Sequence, residues 1–269
     1  MEHPREKAVP DHIRIVDLSC DIGEATTDAE EEVEAQIWPL ITSANVACGG
    51  HVGDDRSMHA SVERARALGV TLGAHPSYPD RENFGRKTLS IARRALHKAI
   101  VDQIQALASI AAGAGVRLEH VKPHGALYND AHHDRALAEL ITSAVATVDS
   151  SLAVVAGSQS QLSSAALEVK LPFIAEAFAD RRYRADGSLV PRSEADALLL
   201  EEEEAAEQAA SLVRDRRLVT SHGRTLKLLF DTLCMHADMP RSVERLRAIR
   251  RRIESEGFTV SSQARRMRP

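Results

Sequence analysis

The sequence lacks the features of several specialised classes of protein. Its apolar runs are too short to cross a bilayer, so no membrane-spanning helix is predicted. Aromatic residues make up only 3% of the 269 residues, and the six lysines and 28 arginines are scattered rather than gathered into a basic face. Together with a net charge of −5, this composition argues against a nucleic-acid-binding surface.

Cysteines and local signature motifs are also sparse. Cys20, Cys48 and Cys234 are an odd number without CxxC spacing, so neither a disulfide framework nor a zinc ribbon is predicted. The polar start MEHPREKAVPDH has no apolar secretory core, and we expect a cytoplasmic protein with reduced thiols. The sequence contains no P-loop, no dinucleotide GxGxxG after a strand and no GxSxG elbow. Those nucleotide and serine-hydrolase sites are therefore not predicted.

Short apolar runs alternate with longer helical patterns, which is typical of parallel strands joined by helices. The apolar residues come in runs rather than in strict alternation, as in strands covered on both faces. We predict an α/β fold of about seven parallel strands in one closed or nearly closed barrel, with an open doubly wound sheet as the alternative. The predicted strands are 13–18, 40–48, 70–74, 118–122, 152–156, 173–178 and 226–235. The predicted helices are 56–68, 91–112, 134–148, 160–169, 201–216 and 240–256.

The chain shows no linker and no internal repeat that would divide it. We therefore expect a single barrel domain over 13–260, between a flexible N-terminal tail at 1–12 and a flexible basic C-terminal tail at 261–269. The connection at 179–196 is too long and too polar for an ordinary turn. Insertions of this kind are often lids or binding loops, so we expect this one beside the site.

Polar and titratable residues gather just after the predicted strands. Function in parallel α/β folds sits where strands end and helices begin, so six such clusters predict an active site. Each residue alone also has a structural interpretation, such as a helix cap or a satisfied turn. Neutral imidazoles in these places could bind a metal or move protons near neutral pH. The candidates are Asp21, Glu24, Asn45, His51, His75, Arg86, Lys122, His124, Tyr128, Asp180, Arg181, His236 and Asp238.

Lys122 carries the most weight among these candidates. It ends an apolar strand in a chain that has only six lysines. At a barrel mouth it would hold a point charge against a carboxylate, a phosphate or a developing oxyanion. The alternative is an ion pair with Glu176 or Asp180 that neutralises the rim. We favour the functional interpretation.

Six motifs, in this order along the chain, resemble the LamB/YcsF family from about Val16 to Glu256. The motifs are DLSCDIGE, SANVACGGH, GAHPSYPDRENFGR, VKPHGALYN, EAFADRRY with LVPR, and CMHAD. That family is the A subunit of the bacterial ATP-dependent 5-oxoprolinase. The resemblance therefore implies a distorted (β/α) barrel of the glycoside hydrolase/deacetylase type. It also implies opening of the 5-oxo-L-proline lactam to L-glutamate, coupled to hydrolysis of ATP with its Mg²⁺ counter-ion, together with subunits B and C.

The chain departs from the family pattern at six positions. Gly50 stands in place of an aromatic residue, Asp55 in place of a proline, Met239 in place of an asparagine, and Asn83, Ala237 and Ala25 in place of glycines. Ala237 matters most, because a β-carbon restricts a positive φ or a close approach of substrate. The charged and histidine positions are retained. We therefore expect retained chemistry, with a related lactam or amide as the alternative substrate.

The placement of these residues at strand ends suggests roles for that reaction. Lys122 and Arg181 would stabilise anions, and either Asp21 or Glu24 would be the base. His124 and His236 would transfer protons. The proposed catalytic set is Asp21, Glu24, Lys122, His124 and His236. The proposed substrate-binding set is Asn45, His51, His75, Arg86, Tyr128, Asp180, Arg181 and Asp238.

Two other functions remain open at this stage. A metal-dependent deacetylase or amidohydrolase would hold a divalent ion through His51, His75 or His124 and activate water without ATP. A non-enzymatic regulator would bind a carbohydrate or lactam without turning it over. The protein is expected to bind neither nucleic acid nor a membrane.

Overall fold

Ten strands and eight α-helices make up residues 14–262, the part of the chain that a computed structural model describes. The strands are β1 (Ile15–Ile22), β2 (Ser43–Ala47), β3 (Thr71–His75), β4 (Leu118–Val121), β5 (Ala153–Ala156), β6 (Phe173–Phe178), β7 (Arg217–Val219), β8 (Thr225–Lys227), β9 (Thr232–Met235) and β10 (Thr259–Val260). The helices are α1 (Asp28–Ile37), α2 (Asp55–Leu68), α3 (Arg93–Gly113), α4 (Gly125–His133), α5 (Arg135–Val148), α6 (Gln161–Glu168), α7 (Glu202–Asp215) and α8 (Ser242–Ser255).

Seven parallel strands close into a barrel. They follow one another from β1 to β6 and then β9, and β9 pairs back onto β1 between Asp17 and Thr232. Strand β10 pairs with the start of β1, on the edge away from β9, where Ile15 lies opposite Thr259. The predicted seven-stranded barrel is confirmed, and the alternative of an open sheet is wrong.

The last predicted strand, 226–235, is wrong as a single element. Its first part is β8, which forms an antiparallel hairpin with β7, and its second part is the barrel strand β9. The chain turns between them, and Asp231 accepts a hydrogen bond from the backbone N–H of Ala175 at 2.9 Å, just before β9 begins. Apolar residues continue through this turn, so periodicity alone does not reveal it.

Other boundaries differ from the predictions at strand starts. The predicted strand 40–48 begins late, because Trp38–Leu40 forms a 3₁₀ turn before β2. The first predicted strand begins at 13, outside the described residues, and β1 continues past 18 to Ile22. This extension places Asp21 within a strand, opposite Asn45 of β2. The expected N-terminal tail at 1–12 lies outside the described residues, as do residues 263–269 of the expected C-terminal tail at 261–269. The first two residues of that tail belong to the fold instead, because Ser261 donates to the carbonyl of Val16 at 2.9 Å and the hydroxyl of Ser262 is 2.7 Å from that of Thr71.

Two helices were missing from the predictions. Helix α1 begins with a capping box, in which Thr27 accepts from the N–H of Glu30 and the Glu30 side chain accepts from the N–H of Thr27. Helix α4 begins at Gly125, inside the motif VKPHGALYN, with a positive φ of 54°. The α4 segment is only nine residues long, which is too short for a clear helical period in the sequence.

The long connection after β6 is ordered by its own contacts. The phenolic oxygen of Tyr183 accepts from the backbone N–H of Phe178 at 2.7 Å, and Arg181 bridges to Leu198. Part of this segment, including Leu189, returns to the carboxyl ends of the barrel strands. Within residues 14–262, no helix combines the length and apolar character needed to cross a membrane.

Candidate active site

A cavity of about 330 Å³ opens at the carboxyl ends of the barrel strands. This is the end at which barrel folds of this kind carry their active sites. The 179–196 segment contributes part of its wall, as expected for a binding loop. The polar and titratable residues that line the cavity are Asp21, Glu24, His75, Arg86, Lys122, His124, Tyr128, Asn129, Arg181, Arg192, Ser193, His236 and Asp238.

Lys122 lies at the bottom of this cavity and is only 2% exposed. Its Nζ is 2.8 Å from Oδ1 of Asp21 and 2.9 Å from Oε1 of Glu176. It is also 3.2 Å from the sulfur of Cys234. Burial lowers the pKa of Lys122, but Asp21, Cys234 and Glu176 together outweigh burial and raise this pKa well above its ordinary value. Lys122 is therefore a fixed cation at the base of the site.

The two carboxyl groups on Lys122 differ in their pKa. Burial raises the pKa of Asp21, but the charges of His75 and Lys122 outweigh burial and hold it well below the ordinary value. Burial raises the pKa of Glu176 to about 7, and the charge of Lys122 only partly opposes this. Asp21 is therefore a carboxylate, whereas Glu176 gains and loses its proton near neutral pH.

A chain of hydrogen bonds inside the barrel fixes Asp21 from below. The side-chain amide of Asn45 donates through Nδ2 to Oδ1 of Asp21 at 2.9 Å. Its side-chain oxygen Oδ1 is 2.8 Å from Nε2 of His120. The ring of His120 fills the space beside Gly73, where an added β-carbon would lie 2.1 Å from that ring. Burial lowers the pKa of His120 to about 3, so its ring is neutral. Gly73 thus makes room for the residue that orients Asn45.

Glu24 is surrounded by three imidazoles. Its Oε1 is 2.8 Å from Nε2 of His51, 3.2 Å from Nδ1 of His124 and 3.8 Å from Nε2 of His75. Burial raises the pKa of Glu24, but the charges and hydrogen bonds of His124 and His51 together outweigh burial and hold it well below the ordinary value. Glu24 is therefore ionised and faces three nitrogen atoms.

The turn that carries Glu24 is held by a second, buried carboxylate. Glu34 of α1 accepts hydrogen bonds from the backbone N–H groups of Gly23, Glu24 and Ala25 at 3.1, 2.8 and 3.0 Å. Gly23 adopts a positive φ of 74° in this turn. Three backbone donors on one carboxylate fix the loop rigidly, so Glu24 is positioned by the helix that follows it.

His236 and Asp180 form a second pair at the other side of the mouth. Asp180 accepts from the backbone N–H of His236 at 2.9 Å and lies 3.1 Å from its ring Nδ1. Burial raises the pKa of Asp180, but the charge and hydrogen bonds of His236 and the charge of Arg181 together outweigh burial and lower this pKa to about 2. The ring of His236 stacks on that of Phe178, with centroids 5.2 Å apart. This pair orients His236 at the cavity wall.

Three arginines stand at the cavity mouth. Asp238 receives hydrogen bonds from both Arg86 and Arg192, the latter at 2.7 Å. Arg181 is 4% exposed and donates to the carbonyl of Val190 at 2.7 Å. Two guanidinium groups on one carboxylate leave a net positive charge, so the mouth attracts an anionic group.

The predicted metal ligands do not fit a divalent ion in this arrangement. Glu24, His51 and His124 bring one donor atom each within 4.8 Å of one another. The rings of His51 and His124, however, stack face to face with centroids 3.6 Å apart and an angle of 3°. An ion lies in the plane of each imidazole that binds it, and two parallel planes cannot share one ion. The third predicted ligand, His75, could offer only Nε2, because its Nδ1 donates to the carbonyl of Lys122 at 2.7 Å, and that Nε2 contacts Nδ1 of His124 at 3.0 Å.

The structure brings all thirteen predicted residues to one end of the barrel. Ten of them line the cavity. Asn45, His51 and Asp180 are buried behind it, where each contacts a lining residue through a hydrogen bond or an ion pair. Their contacts indicate a positioning role, rather than the substrate contact proposed for them.

The departures from the family pattern lie outside the charged cluster. A β-carbon at Gly50 would lie 2.2 Å from Gln103, whose amide bonds both the N–H and the carbonyl of Ser77 at 2.9 Å. Asp55 is the first residue of α2, where an acidic side chain is favourable. Ala237 is not among the described residues with positive φ, so its β-carbon causes no backbone strain.

Four functional residues were not among the candidates. Glu176 was named only as a possible ion-pair partner of Lys122, a pair that the structure shows at 2.9 Å, and His120, Arg192 and the anchoring residue Glu34 were not named as candidates. The signal for Glu176 and His120 was a charged or imidazole side chain inside an apolar strand, which is rare unless the group is paired. Arg192 lies in the long insertion, where sequence alone does not show which side chain turns inward.

The similarity of this chain to known proteins identifies its family. The model of the LamB/YcsF family matches residues 16–268. The chain belongs to this family. It is 44% identical over 245 residues to the A subunit of 5-oxoprolinase from Chloroflexus aggregans, covering 91% of this chain and 97% of that protein. It is 43% identical over 247 residues to the A subunit of 5-oxoprolinase from Bordetella pertussis, covering 92% and 98%.

A solved structure of a similar protein supports the fold as well. The crystal structure of a lactam utilization protein from Thermus thermophilus superposes with a TM-score of 0.84 at 35% identity. The match covers 91% of this chain and 98% of that one. The LamB/YcsF barrel described above therefore accounts for nearly the whole length of both proteins.

Proposed function

We propose that this chain is the A subunit of a 5-oxoprolinase, which opens 5-oxo-L-proline to L-glutamate with hydrolysis of ATP. The observation that carries the proposal is the buried cluster of Asp21, Glu24, Lys122 and two imidazoles at the bottom of a cavity with an arginine-rich mouth. Its relatives carry the name of the 5-oxoprolinase A subunit, and that name supplies the substrate. The partners in this proposal are subunits B and C.

The two ends of the cavity suit the two ends of this substrate. A free carboxylate on the ring matches the cationic mouth, where Arg86 and Arg192 already hold the carboxylate of Asp238. The lactam would then point towards Lys122 and the imidazoles. A lysine ammonium at that depth stabilises negative charge on the carbonyl oxygen as it develops, because few water molecules compete with it.

The need for ATP follows from the stability of the lactam. A five-membered lactam is a resonance-stabilised amide with little ring strain, so water attacks it slowly. Phosphorylation of the amide oxygen makes the ring carbon more reactive towards water. Glu24 or Asp21, both held as carboxylates, would accept the proton of that water. The ring nitrogen needs a proton as its bond to carbon breaks.

The proposal is tested with the chain co-expressed with its two partner subunits. We expect 5-oxoproline-dependent release of phosphate, with glutamate formed in equal amount in the same tube. Asp21→Asn should lower turnover by about 10²–10⁴-fold. The matched control is Asp102→Asn on the exposed face of α3, which should leave turnover unchanged. Absence of glutamate from the wild-type assembly would disprove the assignment.

The use of ATP by the assembly and its binding by this chain are separate matters. The sequence contains no P-loop, so we propose that the nucleotide site is completed by a partner subunit. Isothermal titration with Mg-ATP should show much tighter binding by the assembly than by the isolated chain. Equal affinity in the two titrations would contradict a shared site.

A further inference from the structure

We propose that His75 and His124 hold one proton between them and act as a single catalytic acid for the breaking C–N bond. Both rings are buried and both line the cavity. The sequence predicted separate roles for them, with His75 in substrate binding and His124 in proton transfer. The inference rests on the proposed function for the identity of the bond, but the proton count follows from hydrogen-bond geometry alone.

One nitrogen of each ring must carry a hydrogen. Nδ1 of His75 lies 2.7 Å from the carbonyl oxygen of Lys122, and Nε2 of His124 lies 3.0 Å from the carbonyl oxygen of Phe84. A carbonyl oxygen only accepts hydrogen bonds. Each of these two nitrogens is therefore an N–H donor, which accounts for one hydrogen on each ring.

The two remaining nitrogens face each other. Nε2 of His75 is 3.0 Å from Nδ1 of His124. Asp21 lies 3.3 Å from the first of these nitrogens, and Glu24 lies 3.2 Å from the second. Without a hydrogen between them, two lone pairs would face each other and two carboxylates. With two hydrogens, two N–H groups would oppose each other at 3.0 Å. A single hydrogen between the two nitrogens makes their 3.0 Å contact a hydrogen bond and leaves one positive charge beside the two carboxylates, so the two rings carry three hydrogens.

The charges around the pair agree with this count. Asp21 and Glu24 are both carboxylates, and Glu176 beside Lys122 is neutral when it holds its proton. Lys122 then supplies one of the two cations that balance Asp21 and Glu24. His51 cannot supply the other, because burial lowers its pKa to about 4. Its Nε2 lies 2.8 Å from Glu24, and its Nδ1 has no hydrogen-bond partner among the described residues, as in a neutral ring with its hydrogen on Nε2.

This arrangement gives a closed proton cycle for opening the ring. Glu24 takes a proton from water as the water oxygen bonds to the ring carbon. The His75–His124 pair gives its shared proton to the ring nitrogen as the C–N bond breaks. The proton on Glu24 then returns to the pair across the 3.2 Å contact with His124. This step forms one C–O bond and one N–H bond and breaks one C–N bond and one O–H bond of water. The phosphoryl group that ATP placed on the amide oxygen is then on an acyl phosphate, which a second water cleaves to the carboxylate of glutamate and inorganic phosphate.

The proton count is measured by long-range ¹H–¹⁵N NMR of histidine-labelled protein at about pH 7.5, above the ordinary pKa of a histidine. His75→Asn and His124→Gln each retain the donor towards the backbone carbonyl and serve to assign the two rings. We expect three ring hydrogens on the pair in the wild type. In Glu24→Gln we expect two, because the carboxylate is lost and the amide N–H can donate to a ring nitrogen. His59→Asn on exposed α2 is the control and should leave the count at three.

Turnover of the assembly provides the second measurement. His124→Gln should lower kcat by about 10²–10⁴-fold with a smaller change in KM, as expected for loss of a general acid. Two or four hydrogens in the wild type would overturn the shared proton. A count of three with unchanged kcat in His124→Gln would overturn the catalytic role. A count of three in a wild type that does not act on 5-oxoproline would refute the proposed function and leave the pair itself established.

Discussion

Replacement of Lys122 by methionine is the sharpest test of the buried charge cluster. Methionine has a similar length and retains a favourable contact with the ring of Phe178, which lies 4.9 Å from the lysine nitrogen. The change removes the cation that lies 2.8 Å from Asp21 and 2.9 Å from Glu176. Breaking a buried ion pair by removing one partner typically costs about 3–5 kcal/mol, because the remaining charge is buried without compensation. We expect a loss of this size at about pH 8, where both carboxyl groups are ionised in the unfolded chain.

The loss should shrink as the pH falls. Without Lys122, the folded-state pKa of Glu176 rises further above its unfolded value, and the folded-state pKa of Asp21 rises from its low value in the wild type. The folded variant then binds protons that the folded wild type does not, so its stability increases relative to wild type on acidification. The difference in unfolding free energy between wild type and variant, here called the gap, should narrow as the pH falls. The change is about 1.4 kcal/mol per pH unit for each additional proton bound by the folded variant.

The assay is urea unfolding of both proteins between about pH 5 and 8. Their unfolding free energies are compared where both show the same dependence of free energy on urea concentration. Lys98→Met is the control, since Lys98 pairs with Asp102 on the exposed side of α3. That variant should match the wild type at every pH. A loss below about 1 kcal/mol for Lys122→Met, or a gap that does not change with pH, would refute the reasoning.

Three further changes test other parts of the site. Glu176→Gln removes a carboxyl whose pKa is raised to about 7 in the folded protein. Urea unfolding should show that the wild type loses about 3 kcal/mol of stability as the pH rises from about 4 to 8, because the folded state holds this proton more tightly than the unfolded chain. The variant should not show this loss. Arg192→Met removes a hydrogen bond to Asp238 and should raise KM for the substrate by about tenfold or more, with little change in Tm. Gly73→Ala forces a β-carbon against the ring of His120 and should cost about 1–3 kcal/mol in unfolding free energy.

Each of these has a matched comparison. Arg184→Met removes an ion pair with Glu194 in the same segment but outside the mouth, and should leave KM unchanged. His120→Ala combined with Gly73→Ala should recover part of the stability lost by Gly73→Ala alone, because the clash is removed. A double variant that is less stable by the full sum of both changes would contradict the packing argument. For Glu176→Gln, a gap to wild type that stays constant over the same pH range would show that the carboxyl does not titrate there.

The amino-acid sequence was enough to predict the barrel and the end of the barrel at which the candidate site residues gather. Apolar runs and helical periods depend on near neighbours, so they located the seven barrel strands and most of the helices. Parallel strands in one barrel end on the same side, so Asp21 after the first strand and Lys122 after the fourth were expected to share one rim. The structure places their side chains 2.8 Å apart, although 101 positions separate them in the chain.

The contacts between individual atoms of the site became clear only from the three-dimensional arrangement of the strands. Register between strands sets Asp21 beside Asn45, and closure of the barrel sets Glu176 beside Lys122. The turn before β9 is likewise invisible in the sequence, because the apolar run continues through it while Asp231 anchors the chain to β6. Protonation depends on the same long-range contacts. Burial and neighbouring charge, rather than residue type, leave Asp21 ionised and raise the pKa of Glu176 to about 7.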